Sequence, residues 1–407
     1  DNDTPINEMK YLPDIDMNWT NTIMYTSGST SNPKGVKFSQ LNIISKRFSR
    51  ALALPGIGSS DIFLCYLPLF HTFGRYFELM GSIFWGATYT FAESPAFNSL
   101  LKDFSIIAPT VFISIPKRWV QIYDSINDSI DLDLSSEEEI NKKLNNITGG
   151  NLKWGLSAAG YLDSDIFLFF QQNKIELISG YGMTEATGGI TMTPPKEYIT
   201  NSVGKSLPGI ELKIEDDGEL CIKGNHVAQG YYKSEEQTME TFDEDGWLHT
   251  GDLAEIDEDG FVKIIGRKKE ILITSAGKNI APVEIEDLVK PHPLIGQVCV
   301  VGDGKKFLSA LIVLDGDGGA ETWASENGMD YSLKDMAKNE KVIQAVQEQV
   351  DEANSQVANV QGIKKFVILD KEWTDSSGEL TPTLKLKRNV IAEMYNDEIE
   401  SMYEGIE

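Results

Sequence analysis

The chain has 407 residues, 41% hydrophobic and 24% charged, which is the composition of an ordinary globular protein with room for a large core and two or three domains. Its net charge of -26 argues against nonspecific binding to nucleic acid or anionic lipid, so an anionic ligand needs a local site built from a few placed cations. Cys65, Cys221 and Cys299 are too scattered for a disulfide framework or a zinc-site spacing, and no secretory signal or apolar run of roughly 20 residues is present, which fits the cytoplasm and leaves peripheral membrane contact open.

In chain order, residues 22–25 (TIMY) read as a short buried strand entering a polar, glycine-containing loop. Residues 39–54 then read as a helix, with Ser39 as the N-cap because its hydroxyl can accept an orphan N–H of the first turn. Residues 62–67 (IFLCYL) predict a second buried strand stopped by Pro68, and 111–115 (VFISI) repeat the pattern before Pro116. Residues 125–147 are polar, acidic and helix-prone, and predict a solvated helical excursion. Strands alternating with helices predict an α/β core with largely parallel strands. From about residue 200 the segments IELKIED, GELCIKG and GFVKIIG alternate in polarity and are separated by DDG and EDG, which are hairpin signals. They predict a compact β region over about 200–266. Beyond Arg267 mixed α and β texture returns, with an acidic helix over about 339–357. The change of texture divides the chain at Lys269, into 1–268 and 269–407.

The loop YTSGSTSNPKG, residues 25–35, follows the first strand. It sets the hydroxyls of Thr26, Ser27, Ser29 and Thr30 beside Gly28 and closes with Lys34. Hydroxyls and free backbone N–H groups suit phosphate oxygens, Lys34 adds a point charge, and Gly28 lets the backbone approach closely. A polar surface turn would carry similar residues. A Walker-type loop is excluded, because Lys34 precedes Gly35 and Val36 follows where Ser or Thr is required. The stretch resembles the signature loop of the adenylate-forming (AMP-binding) superfamily, which includes acyl-CoA synthetases, firefly-type luciferases and peptide-synthetase adenylation domains.

Further motifs of that family follow in order. GYGMTEAT, 180–187, follows the apolar run IELIS. It offers the aromatic face of Tyr181, beside Gly182, for stacking on a purine, and the hard carboxylate oxygens of Glu185 for Mg²⁺. The resemblance implies that Tyr181 lines adenine, that Thr184 sits at the reacting carboxylate and phosphate, and that Glu185 holds Mg²⁺. SAAGYL, 157–162, is similar to the family's other adenine wall, with Ala159 and Gly160 in the cofactor-binding positions; Gly160 and Tyr161 depart from the usual small residue and proline. Asp252 in GWLHTGD and Arg267 in IIGRKKE can accept from and donate to sugar hydroxyls. As a pair they match the family's ribose-binding residues. Lys269 occupies the family's hinge position, and SAGKNIAPVEIE, 275–286, resembles the segment that follows it. In LTPTLKLKR the alternation puts Lys385 and Lys387 on one face. The family's catalytic lysine lies three residues before an arginine, which selects Lys385 over Lys387. His71, in LPLFHTFG, corresponds to a histidine near the acyl pocket entrance. The form TPTLKLKR and the segment IPKRWVQIYDSI resemble long-chain fatty acyl-CoA synthetases.

The resemblance implies a large N-terminal adenylating domain, an α/β core with a β-rich subdomain, and a small mobile α+β C-terminal domain. It implies an AMP-forming acid–thiol ligase that takes ATP, Mg²⁺, coenzyme A and a medium- or long-chain fatty acid, with no nucleic-acid partner. Two alternatives stand beside it. One is an acyl-AMP ligase that passes the acyl group to a carrier protein. The other is a non-catalytic nucleotide-binding remnant, because the family usually carries a sizeable α/β segment ahead of the loop that begins here at Thr26. The retained Lys385, Glu185, Asp252 and Arg267 count against the remnant. Acyl length, the thiol acceptor and the oligomeric state are not encoded in these motifs.

Overall fold

In the computed structural model, residues 15–26, 33–132, 134–158, 160, 162–316, 318–381 and 385–405 are described. The strand β1 (Thr20–Thr26) pairs antiparallel with β2 (Lys34–Ser39), Thr26 opposite Lys34. The expected buried strand at 22–25 is therefore one arm of a ribbon. Only Met24 is buried within β1; Ile23 and Tyr25 face outward, because a ribbon lying on the body buries one face of a period-two strand. The helix α1 (Gln40–Ala53) begins where β2 stops. Ser39 Oγ accepts the Asn42 N–H at 3.1 Å and Asn42 Oδ1 accepts the Ser39 N–H at 2.7 Å, a reciprocal cap that satisfies two orphan donors.

Five short strands follow: β3 (Ile62–Cys65), β4 (Thr88–Phe91), β5 (Val111–Ser114), β6 (Trp154–Ala158) and β7 (Glu176–Gly180). They form one parallel sheet in the order β4-β3-β5-β6-β7. Its crossovers include α2 (Met80–Trp85), α3 (Phe97–Ile107), α4 (Pro116–Asn127), α5 (Glu137–Thr148) and α6 (Ser164–Gln172). Both faces of the sheet are covered, which is why its strands read as unbroken apolar runs. Leu64, Phe112 and Leu177 point to a helical layer containing Trp119, Ile122, Ile126, Leu144, Phe167 and Phe170. Phe63, Ile113, Leu156 and Ile178 point the other way, toward Leu220, Ile222, Leu248 and Val262. The expected solvated excursion at 125–147 is corrected here. It holds the end of α4 and most of α5, and Ile126 and Leu144 are fully buried, because the acidic residues occupy only one side of an amphipathic helix.

The β region is a four-stranded antiparallel meander of β8 (Glu211–Ile214), β9 (Glu219–Lys223), β10 (Leu248–Ile256) and β11 (Val262–Arg267), with α7 (Glu235–Thr241) inserted before β10. Gly218 and Gly260 take φ of 86° and 84°, the left-handed backbone that the two Asp-Gly turns demand.

Past Arg267 come α8 (Pro282–Val289), β12 (Ile295–Val301), β13 (Leu308–Leu314), α9 (Gly319–Glu326), α10 (Glu340–Ser355), β14 (Ile363–Leu369), α11 (Arg388–Met394) and α12 (Asn396–Ser401). β13 is central, antiparallel to β12 and parallel to β14, and all of its residues are buried. One face of this sheet packs on Ile285, Val289, Val342, Val346 and Val350. The other packs on Trp373, Ile391, Tyr395 and Met402. The hydrophobic clusters of the first part draw on nothing beyond Ile264, and those of the second on nothing before Leu272. Among the described residues no helix is long and apolar enough to cross a membrane.

Candidate functional site

Three loops leave the carboxyl ends of parallel strands on one edge of the sheet, the edge where open α/β sheets place ligands. The loop after β3 carries His71, the one after β6 carries Gly160, and the one after β7 carries Tyr181 to Thr187. Tyr181 O accepts the N–H groups of Ile190 at 2.7 Å and Thr191 at 3.1 Å, which closes this last loop on itself. A one-turn helix, Thr184–Ala186, sits at its tip and buries Glu185.

The meander reaches the same edge. Asp252 on β10 and Arg267 on β11 are direct ladder partners. Arg267 Nε lies 2.9 Å from Asp252 Oδ1, and the Tyr181 hydroxyl donates to Asp252 Oδ2. Burial raises the Asp252 carboxyl pKa, against the pull of Arg267 and Tyr181. Burial and then the Asp252 charge push the Tyr181 phenol far up, so it is a donor at any working pH. Burial, the largest single effect, would lower Arg267, but Asp252, Tyr181, Glu270 and Glu185 together outweigh it and hold the guanidinium pKa above its usual value. Among the described residues each Asp252 oxygen has one partner, and a carboxylate offers about four acceptor positions, which leaves room there for hydroxyls.

Glu185 Oε1 accepts the Tyr231 hydroxyl at 2.8 Å. The segment around Tyr231 runs beside β2: Tyr232 N–H donates to Gly35 O at 2.7 Å and Lys37 N–H to Gly230 O at 3.0 Å. This pairing brings the Lys34 ammonium to 4.8 Å from the centre of the Tyr231 ring. Among the described residues the Tyr231 hydrogen bond engages Glu185 Oε1 and leaves Oε2 uncommitted. A buried carboxylate with one hard oxygen uncommitted, beside a lysine that can meet phosphates, fits Mg²⁺, which takes one or two carboxylates and completes its shell with phosphate and water.

Lys385 reaches this place from the far end of the chain. Lys385 is exposed as a residue, but desolvation of its ammonium, then the nearby Arg267 charge, lowers its pKa, while Asp252, Glu270 and Glu185 pull it back up. Burial and then Lys385 lower the His71 pKa in turn. Lys385 is tied to Thr381, Thr381 N–H donating to Lys385 O at 2.8 Å and Lys385 N–H to Thr381 Oγ1 at 3.1 Å. Arg388 braces the segment. Its two terminal nitrogens hold both Glu286 oxygens at 2.7 Å, and its Nε meets Glu270 at 2.9 Å.

Lys269 lies in the exposed one-turn helix Lys268–Glu270, between two anchors. Lys268 is tied to Asp217 at 2.5 Å and Glu219 at 2.9 Å on the meander, and Glu270 is tied to Arg388.

The fold thus gathers Lys34, Glu185, Asp252, Tyr181, Arg267, His71 and Lys385. Thr26 lies at the ribbon end opposite Lys34, and Thr184 on the turn beside Glu185. Gly182 is exposed in the same loop, and Gly160 is exposed where a side chain would meet the Pro116 ring. Ser27, Gly28, Ser29, Thr30 and Ala159 lie outside the described residues. Sequence reasoning missed Tyr231, Lys268, Glu270 and Glu286. Tyr231 lies in no motif quoted above, and Lys268, Glu270 and Glu286 lie inside IIGRKKE and SAGKNIAPVEIE without a role of their own there; only their partners, distant in the chain, give them meaning.

A sequence profile described as AMP-binding enzyme matches residues 3–232, and one described as AMP-binding enzyme C-terminal domain matches residues 269–407. The long-chain-fatty-acid–CoA ligase FadD15 of Mycobacterium bovis is 33% identical over 418 residues, which is 94% of this chain and 69% of that protein. The human long-chain-fatty-acid–CoA ligase ACSBG1 is 33% identical, over 94% of this chain and 61% of that protein. Among solved structures, o-succinylbenzoate coenzyme A synthetase (MenE) from Bacillus subtilis, in complex with ATP and magnesium ion, superposes with a TM-score of 0.70 at 26% identity, covering 92% of this chain and 70% of that one.

Proposed function

The chain belongs to the AMP-binding enzyme family, whose acid–CoA ligases use ATP, Mg²⁺ and coenzyme A, and on that premise we propose that its acid is a medium- or long-chain fatty acid. Support for the fatty acid comes from the kinship with FadD15 and ACSBG1 and from the segment IPKRWVQIYDSI.

The reaction we propose begins with attack of the fatty carboxylate on the α-phosphate of ATP, which releases pyrophosphate and leaves an acyl-adenylate. Asp252 and Arg267 hold the ribose, and Tyr181 and Gly160 flank the adenine. The loop from Thr26 to Lys34 cradles the phosphates. Thr184 lies where carboxylate and phosphate meet, and His71 stands at the acyl entrance. Mg²⁺ on Glu185 supplies a counter-charge to the phosphate oxygens. Lys385 neutralises charge at the reacting centre, and little covalent work is left to the protein beyond holding two anions together. Coenzyme A thiol then displaces AMP from the mixed anhydride. Lys269 is the hinge that withdraws Lys385 and opens the thiol path.

One arrangement carries this reading: the Lys385 charge interacts with Arg267, Asp252 and Glu185 although it comes from the other side of Lys269. That is the arrangement an adenylation step needs. The test is carboxylate-dependent exchange of pyrophosphate into ATP across a chain-length series, repeated with coenzyme A to identify the thioester. Exchange that peaks with medium or long fatty acids is expected. Exchange only with short or aromatic acids would overturn the substrate, and no exchange with any acid would overturn the activity.

A further inference from the structure

We propose that Tyr231 is the positioning residue for the magnesium-binding carboxylate, its hydroxyl orienting Glu185 while its ring seats Lys34. The proposal rests on the reading of Glu185 as the Mg²⁺ ligand. Three observations on different parts of the chain meet at this one side chain. Its hydroxyl is 2.8 Å from Glu185 Oε1. Its ring is under the Lys34 ammonium at 4.8 Å, within the range of a cation–π contact. Its backbone is fixed beside β2 by a bridge to Val36 and by the flanking bonds to Gly35 and Lys37.

The chemistry follows from the geometry. A carboxylate at the tip of a one-turn helix can rotate about its last bond and present either oxygen. With Oε1 held by a phenol O–H, the second oxygen keeps one direction, and the hard acceptor is pre-aimed. A carboxylate offers only acceptors, so at this contact the Tyr231 O–H is the donor. The ring meanwhile seats the Lys34 cation, so that one residue supports both the carboxylate that would hold the metal and a lysine that would counter phosphate charge. Outer-shell partners of metal ligands typically change metal affinity 10- to 100-fold when removed.

The test uses the whole chain and the metal directly, without turnover. Binding of Mn²⁺ in the presence of ATP is measured by the loss of the free Mn²⁺ paramagnetic resonance signal, and binding of metal-free ATP by calorimetry in chelator. Tyr231→Phe keeps the ring and removes only the hydroxyl. Mn²⁺ affinity is expected to fall roughly tenfold or more, with metal-free ATP affinity unchanged. Unchanged Mn²⁺ affinity, or an equal fall in both measurements, would overturn the role of Tyr231. Glu185→Gln is run in parallel. If it keeps wild-type Mn²⁺ binding, the reading of Glu185 fails; if it loses Mn²⁺ while Tyr231→Phe does not, only the present inference fails. Thermal melts of both variants separate loss of folding from loss of the site.

Discussion

Asp252 and Arg267 face each other across the β10–β11 ladder, and the 2.9 Å contact between them turns an antiparallel register into a fixed ion pair. Because the Tyr181 hydroxyl holds the other Asp252 oxygen, the carboxylate cannot swing away when the cleft is empty of ligand hydroxyls.

Asp252→Ala should weaken AMP binding roughly tenfold to a hundredfold, the size expected when hydrogen bonds to a charged group are lost. Calorimetric titration with AMP reads this directly. An unchanged affinity would remove Asp252 from the ribose site.

Lys385→Ala should cripple adenylate formation and largely spare thioester formation from pre-made acyl-adenylate. A loss of about 10²–10³ in the first half-reaction is the scale of removing one preorganised charge-stabilising donor. Pyrophosphate exchange and single-turnover thioesterification separate the two steps. Equal losses in both would sink the assignment.

The pH dependence has a definite sign. Desolvation of the ammonium and the Arg267 charge lower the Lys385 pKa, so its charged form disappears at a lower pH than for an ordinary lysine. Adenylation that needs the ammonium should decline as pH rises through that lowered value. Lys385→Arg, with a guanidinium that stays charged, should move the decline to higher pH whatever its effect on the maximum rate. A pH profile of pyrophosphate exchange with the same alkaline limb in both proteins would contradict this.

Arg388→Ala should destabilise the C-terminal part by about 3–5 kcal/mol, because it strands the buried Glu286 carboxylate. Glu286 Oε1 also accepts the Val300 N–H at 2.7 Å, so the stranded charge sits against the edge of the sheet. The denaturant midpoint measures the effect. Adenylation should fall as well, since Arg388 braces the segment that carries Lys385. Full stability in Arg388→Ala would show that water compensates the charge.

Much of the fold was legible because its signals are local. Ser39 marks a helix start by what its hydroxyl can reach within one turn, and Asp-Gly pairs mark hairpins by the backbone sign they permit. The misreadings came where burial depends on partners. Residues 22–25 look apolar enough for a core, yet they lie in a two-stranded ribbon with one face out. Leu144 sits in a helix that begins with three glutamates, yet it is buried in the cluster that α5 shares with α3 and α4.

The sequence by itself determined the inventory and order of the site: a hydroxyl-rich loop ending in Lys34, then Tyr181 and Glu185, then Asp252 and Arg267, then Lys385. Residue chemistry is a property of the chain, and motifs that keep their pieces within a few positions can be read without knowing the fold. Only the tertiary structure decided which groups hold which. Tyr231 meets Glu185 from 46 positions away, Arg388 meets Glu286 from 102, and Lys268 ties the start of the second part back to Glu219. Such pairings depend on strand register and on the packing of separate cores, and a hydrogen bond formed across them has no counterpart in local spacing.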